Sequence, residues 1–212
     1  HQIPPQDVRA ASFVLQQSYR EFPPGSIFLV VVDPGVGTER KPVVLRAGDY
    51  FFVGPNNGVF GFLENFHPDE FACHELEPFW QDQPLRSNTF HGRDLFAPAS
   101  AYLARGTPLN KFGPKLPLPE KWEVGDGDTG KIVYIDHFGN AITNIPGDSL
   151  TDEVEKFRAG NQEIPRAKTY GEVDRKQPLA LIGSTGFLEI AVNQGHAASL
   201  LGLQIGDPVI PV

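Results

Sequence analysis

Cysteine is almost missing from this sequence. Cys73 is the single one in 212 residues, so a disulfide within the chain and a thiolate zinc site are both excluded. Between Ala72 and His74 it reads as a small buried hydrophobe rather than a nucleophile, and such scarcity fits a reducing, cytoplasmic setting. Methionine is absent altogether, the first position included, so the sequence as given is expected to be processed, truncated or excerpted. Positive charge is short as well. The 18 Lys and Arg against 26 Asp and Glu leave a net charge of −8, without the basic footprint a phosphate backbone requires. Nucleic acid is therefore not an expected partner. No apolar run approaches the roughly 20 residues of a membrane span, and no basic-then-apolar leader opens the chain. The histidines stand at positions 1, 67, 74, 91, 137 and 196; none form a His-x-x-x-His pair, and nothing compels a metal, His91 with Asp94 included. No Gly-x-Ser-x-Gly elbow occurs, which disfavours hydrolases built on one.

What is present is an ordinary globular composition, 40% hydrophobic and 21% charged, with length for one large domain or two small ones. Asp7 reads as the N-cap of a helix whose face holds Val8, Ala11, Val14, Leu15 and Tyr19. That helix should stop before Phe22-Pro23-Pro24-Gly25, ahead of a strand at 26–32. Strand-like runs at 42–47 and 50–53 follow, joined by Gly48-Asp49. After the Gly54-Pro55-Asn56-Asn57-Gly58 turn, residues 59–65 should begin a helix, and 94–105 should form another that ends at Gly106. This alternation predicts an α/β sheet with parallel pairs. Pro108, Pro114, Pro117 and Pro119 then read as a semi-rigid linker, dividing a domain of residues 1–118 from one of residues 119–212. Past it, short runs at 131–136, 141–145, 178–182, 187–192 and 209–212, separated by Gly-rich turns, predict a small β-barrel or sandwich. A lone helix is expected within 195–203.

Two stretches carry chemistry. Val31-Val32-Asp33-Pro34-Gly35-Val36-Gly37-Thr38-Glu39-Arg40 puts a carboxylate where a buried strand ends and a loop is forced. In open α/β sheets, strand carboxyl ends are where ligands bind. The second stretch is Phe90-His91-Gly92-Arg93-Asp94. Asp33, Arg40 and His91 make a candidate catalytic set: carboxylate and imidazole can orient water or take its proton, and a fixed cation can stabilise an anion, hydroxide included. The ordinary alternative is that Asp33 caps its loop, Arg40 pairs with Glu39 or another acid, and His91 is a turn histidine. Gly35-Val36-Gly37 lacks the third glycine of the dinucleotide fingerprint, since Arg40 stands there. In the second half, Asp136-His137-Phe138-Gly139-Asn140 offers a carboxylate, a stacking face and an amide able to pair with a nucleobase edge. Ser184, in Gly183-Ser184-Thr185-Gly186, offers a hydroxyl and backbone N–H groups suited to a carboxylate. On the segments alone the simpler reading prevails: both are tight turns, with Phe138 part of the core.

Taken together and in order, these segments resemble the S-adenosylmethionine hydroxide adenosyltransferases, hydrolase relatives of the fluorinating and chlorinating enzymes. The match runs from Ile3-Pro4-Pro5-Gln6-Asp7-Val8 through Asp33-Pro34-Gly35-Val36-Gly37, Arg40 and Gly54-Pro55-Asn56-Asn57-Gly58. It continues through Phe90-His91-Gly92-Arg93-Asp94, Asp136 to Asn140, and Gly183 to Asn193. The resemblance implies an α/β N-terminal domain followed by a smaller all-β barrel. It also implies a homotrimer with active sites between the N-terminal domain of one subunit and the C-terminal domain of the next. Asp33, Arg40 and His91 match a hydroxide-positioning triad that the halogenating relatives lack. Asp136 and Ser184 match positions holding the methionine end of the substrate, Phe138 and Asn140 match adenine contacts, Phe90 a ribose-facing position, and Tyr170 an aromatic against the nucleoside.

The implied reaction is attack of water or hydroxide on the 5′ carbon of S-adenosyl-L-methionine, giving adenosine and L-methionine without metal or cofactor. Family members open with a strand, a Thr-Asp-Phe-Gly loop bearing a ribose-binding aspartate, and a helix. That unit is missing from the sequence as given, so the expectation is a sheet one strand short. Two other outcomes belong to the same expectation: halide-dependent adenosyl transfer, and nucleoside binding without catalysis for want of that unit.

Overall fold

Asp7 starts the first helix as its residue type favours: the carboxylate accepts the backbone N–H of Ala10 at 2.9 Å, capping α1 (Val8–Ser18). The structure, a computed structural model, describes residues 3–80, 87–117 and 130–212. These fall into two compact units, 3–117 and 130–212. The boundary expected between residues 118 and 119 lies outside the described residues.

In the first unit, α1 is followed by β1 (Ile27–Leu29), β2 (Pro42–Ala47), β3 (Tyr50–Pro55), α2 (Leu63–Phe66), β4 (Phe71–Glu75) and α3 (Ala97–Ala104). The strands form one sheet in the order β1-β3-β2-β4. One pair, β1 with β3, is parallel and the others are antiparallel. The strand expected at 26–32 is paired over three residues only, but Val30 still donates to the Val53 carbonyl at 2.9 Å and carries the chain straight toward Asp33. The helix expected at 59–65 is reduced to α2, because three-residue turns occupy its start: Gly61 N–H reaches Gly58 and Leu63 N–H reaches Phe60, both at 3.0 Å. A wide turn at Gly92–Phe96 leads into α3, with Pro98, which has no N–H to give, near its beginning. Wholly buried Tyr19, Phe52, Phe60 and Phe62 centre the core.

The prolines from residue 107 onward do not make a free linker over their described part. Phe112 is fully buried, and the carbonyls of Phe112 and Pro114 accept from Glu77 and Glu75 at 2.7 and 2.8 Å. Leu116 donates to the Cys73 carbonyl at 2.9 Å. Proline lacks a donor, yet its carbonyl remains a full acceptor, so this stretch runs as a ribbon along β4.

The second unit contains β5 (Gly130–Ile135), β6 (Ala141–Pro146), β7 (Lys156–Ala159), β8 (Gln162–Pro165), β9 (Pro178–Ile182), β10 (Phe187–Val192), α4 (Ala197–Leu201) and β11 (Pro208–Pro211). They form a seven-stranded antiparallel sheet in the order β8-β7-β11-β5-β6-β10-β9. Its two ends nearly meet: the chain just past β8 bridges to β9, with Ala167 donating to the Ala180 carbonyl at 2.8 Å. This near-barrel wraps Ile132, Ile145, Phe157, Ile164, Leu188, Ile190 and Val209, all completely buried. Among the described residues no helix is long and apolar enough to cross a membrane.

Candidate active site

Asp33 is positioned by its neighbours on both sides. Asn57 donates from Nδ2 to the Val32 carbonyl at 2.9 Å and accepts the Val59 N–H on Oδ1 at 3.3 Å. The residue before Asp33 is thereby clamped to the turn that follows β3. After Asp33 the loop folds on itself, Val36 N–H reaching the Asp33 carbonyl at 3.3 Å and Thr38 Oγ1 reaching the Gly35 carbonyl at 2.6 Å. Gly37 has φ +77°, and a β-carbon there would stand 2.8 Å from the Asn88 carbonyl oxygen. A larger residue would hold this loop away from the segment that carries His91.

The loop and that segment meet in one cluster. Arg40 donates from Nε to Asp33 Oδ1 at 2.9 Å and from Nη2 to Asp33 Oδ2. The same Nη2 lies 2.6 Å from His91 Nδ1. Arginine can only donate, so Nδ1 accepts and the imidazole proton sits on Nε2. The Arg40 and Asp33 side chains are only 8% and 6% exposed, which makes this a buried ion pair rather than a surface one. Arg40 Nη1 is buried and has no hydrogen-bond partner among the described residues. Phe96 floors the cluster, its ring centroid 5.6 Å from the guanidinium carbon and edge-on to His91. Burial, reinforced by the Arg40 charge, holds His91 below the ordinary histidine value; Asp33 and Asp94 oppose this.

Phe90 is half exposed, with the Arg93 guanidinium carbon 4.5 Å from its ring centroid. Arg93 is in turn forked onto Asp94 at 2.6 and 3.1 Å. Asp94 also accepts the Ser87 N–H at 3.1 Å. Among the described residues no group of three or more His, Cys, Asp or Glu could hold a metal ion. Cys73 is buried, and burial pushes its thiol up to about 12, well outside nucleophilic use.

In the second unit, Asp136 builds its own turn. Oδ1 accepts the N–H groups of Phe138 and Asn140, both at 2.9 Å, and Oδ2 accepts Asn140 Nδ2 at 3.2 Å. The turn leaves Phe138 exposed and Asn140 buried. Tyr170 donates its hydroxyl to Glu189 Oε1 at 2.7 Å. Burial raises the Tyr170 hydroxyl, helped by Glu189 and then Asp136, so Tyr170, Glu189 and Asp136 share one electrostatic neighbourhood. Ser184 is exposed on the β9–β10 turn. The register pairs Phe187 with Pro146 and Ile190 with Ala141, which puts that turn at the far end of β6 from Asn140.

Three contributors escaped the reading of residues. Asn57 was legible only as a turn residue, and Phe96 only as part of a helix. Glu189 had a signal, a lone carboxylate inside an apolar strand.

The chain is similar to known proteins over nearly its whole length. Residues 1–113 match the SAM hydroxide adenosyltransferase N-terminal domain and residues 130–210 match its C-terminal domain. The chain is 39% identical over 221 residues to the (R)-S-adenosyl-L-methionine hydrolase of Thermus thermophilus, covering 99% of this chain and 84% of that protein. Against the fluorinase of Nocardia brasiliensis the identity is 28% over 263 residues, with coverage of 99% and 84%. The crystal structure of an uncharacterized conserved protein from Thermotoga maritima aligns with a TM-score of 0.83 at 39% identity, covering 99% of this chain and 85% of that one. With both domain matches in sequence order, this chain belongs to the SAM hydroxide adenosyltransferase family.

Proposed function

We propose that this chain hydrolyses S-adenosyl-L-methionine at the 5′ carbon of the ribose, giving adenosine and L-methionine. The observation that carries the reading is the joining of Asp33, Arg40 and His91, from two separate segments, into one hydrogen-bonded cluster. A carboxylate, a fixed cation and a neutral imidazole at one point suit the holding of a water and its bias toward hydroxide. Arg40 Nη1 is the donor left over for that water. In the reaction the water oxygen bonds to C5′ while the C5′–S bond breaks opposite it. The bonding pair goes to sulfur, which leaves as a neutral thioether, and the water's proton passes to Asp33 or solvent. A sulfonium leaving group needs no general acid, so positioning is the main requirement and can supply up to about 7–11 kcal/mol. Phe90, Asp136, Phe138, Asn140, Tyr170 and Ser184 are the proposed substrate contacts. The higher identity to a hydrolase than to a fluorinase favours water over halide as nucleophile.

Chromatography of products formed with S-adenosyl-L-methionine in chelator, with and without halide, tests this. Adenosine and methionine in equal amounts, indifferent to halide, are expected. Loss of substrate that requires halide would mean adenosyl transfer, and adenosine binding without methionine release would mean a binding protein. Metal independence and a homotrimeric assembly belong to the same proposal, the latter checked by light scattering.

The rate should also report His91. Its neutral form accepts from Arg40; protonation would remove the acceptor and set two cations face to face. Because the folded environment lowers its pKa from 6.5, kcat/KM should be flat above about pH 6.5 and fall below it, with a midpoint on the acid side. A pH–rate profile of wild type and His91→Gln checks this. The variant should be slower and should lack that limb, whereas an unchanged limb in it would assign the titration elsewhere.

A further inference from the structure

Strand β10 carries one carboxylate within an apolar run, Phe187-Leu188-Glu189-Ile190-Ala191-Val192. Alternation sends Leu188 and Ile190 into the main core of the unit. Glu189 lies on the other face with Ala191, where Leu179, Leu181 and Val173 gather. It is 6% exposed. A carboxylate in that position carries a desolvation cost that leucine would not, and it is directed at a specific partner, the Tyr170 hydroxyl at 2.7 Å. Its second oxygen rests on Gly183, where a β-carbon would stand 2.6 Å from Oε2. Glycine at the head of the Gly183–Gly186 turn thus makes room for the acid.

Tyr170 itself sits on a single turn of chain (Tyr170–Glu172) and remains 43% exposed. The backbone is tied to the sheet before it, by Ala167 N–H to the Ala180 carbonyl at 2.8 Å, and after it, by Asn193 Nδ2 to the Val173 carbonyl at 2.7 Å. Between those ties, the hydroxyl–carboxylate bond joins the ring to β10. Asp136, at the head of the Asp136–Asn140 turn, adds its charge to that felt by both members of the pair.

We propose that Glu189 is a positioning residue: by accepting the Tyr170 hydroxyl it fixes that ring as a flat face for the nucleoside, without touching substrate itself. This rests on the reading of Tyr170 as a nucleoside contact. The test combines steady-state kinetics on S-adenosyl-L-methionine with calorimetric binding of adenosine, so that affinity is measured even where turnover is not. Tyr170→Ala should raise KM and the adenosine Kd about tenfold. Unchanged values would remove Tyr170 from the nucleoside site, and the role of Glu189 with it. Where Tyr170→Ala has its effect, Tyr170→Phe and Glu189→Leu should each raise both constants about three- to tenfold, with kcat within about twofold. Their double variant should match the single ones, since both remove one bond, and Glu189→Gln, whose amide oxygen still accepts, should stay near wild type. Multiplying effects in the double variant, or constants untouched by Glu189→Leu, would overturn the positioning role and leave the nucleoside reading standing. If Glu189→Leu does not fold, Tyr170→Phe removes the same bond from the other side, and unchanged constants there would overturn the proposal equally.

Discussion

Asp33→Asn should lower kcat/KM about 10³-fold or more while adenosine continues to bind within about threefold of its wild-type affinity. The substitution keeps the side-chain volume and one acceptor for Arg40, and it removes the negative charge and the basic site. Arg40 Nη2 already serves both Asp33 and His91. With the carboxylate gone the cluster becomes net positive, so a hydroxide is still attracted but no basic group of the cluster is left to take the proton that makes it, and solvent alone must do so. Binding should survive because the proposed nucleoside contacts are other residues. Product chromatography with isothermal titration on the same preparation checks both halves. Turnover within about tenfold of wild type would remove Asp33 from the mechanism, and a parallel loss of adenosine binding would make its role structural.

How much of this could be read from residues alone depends on the range over which each signal acts. Asp33 was legible because an apolar run broken by Pro34, Gly35 and Gly37 is a local signal for a strand end. Arg40 lies on the same loop, seven residues away. His91 is separated from Arg40 by 51 positions, and no periodicity connects them; residue chemistry and the resemblance group them only as candidates, and it is the fold that brings them within hydrogen-bonding distance. Asn57 shows the same limit. Its type and the following glycine spelled a turn, while its acceptor, the Val32 carbonyl, belongs to a different segment. β4, β7 and β8 escape the sequence reading because polar residues interrupt or flank their apolar positions: β7 reads Lys-Phe-Arg-Ala, with Lys156 and Arg158 exposed and Phe157 and Ala159 buried, and in β8 only Ile164 is buried. The proline-rich stretch misled for a related reason. Composition shows which donors are lacking but not that the carbonyls of Phe112 and Pro114 find partners on the chain around β4.

Arg40→Met should cost both activity and stability, and the two losses should separate. The guanidinium pairs with a carboxylate 6% exposed, so removing it strands a buried charge, for which about 3–5 kcal/mol of unfolding free energy is expected. His91 loses its donor at the same time, and the water of the proposed mechanism would lose the cation that favours hydroxide. Turnover should therefore fall about 10³-fold, as for Asp33→Asn. Pairing the change with Asp33→Leu removes the stranded charge. If the stability loss comes from an unpaired carboxylate, the double variant should unfold at higher denaturant than Arg40→Met alone while remaining inactive. Urea unfolding of the two variants and wild type at pH 7.5, beside product assays, tests this. A double variant less stable than the single one would mean that the side chains act through packing against Phe96, whose ring lies 5.6 Å from the guanidinium carbon. Recovery of stability without recovery of turnover would instead locate the purpose of this buried pair in chemistry: an ion pair that a hydrophobic pair can replace in folding but not in the handling of water.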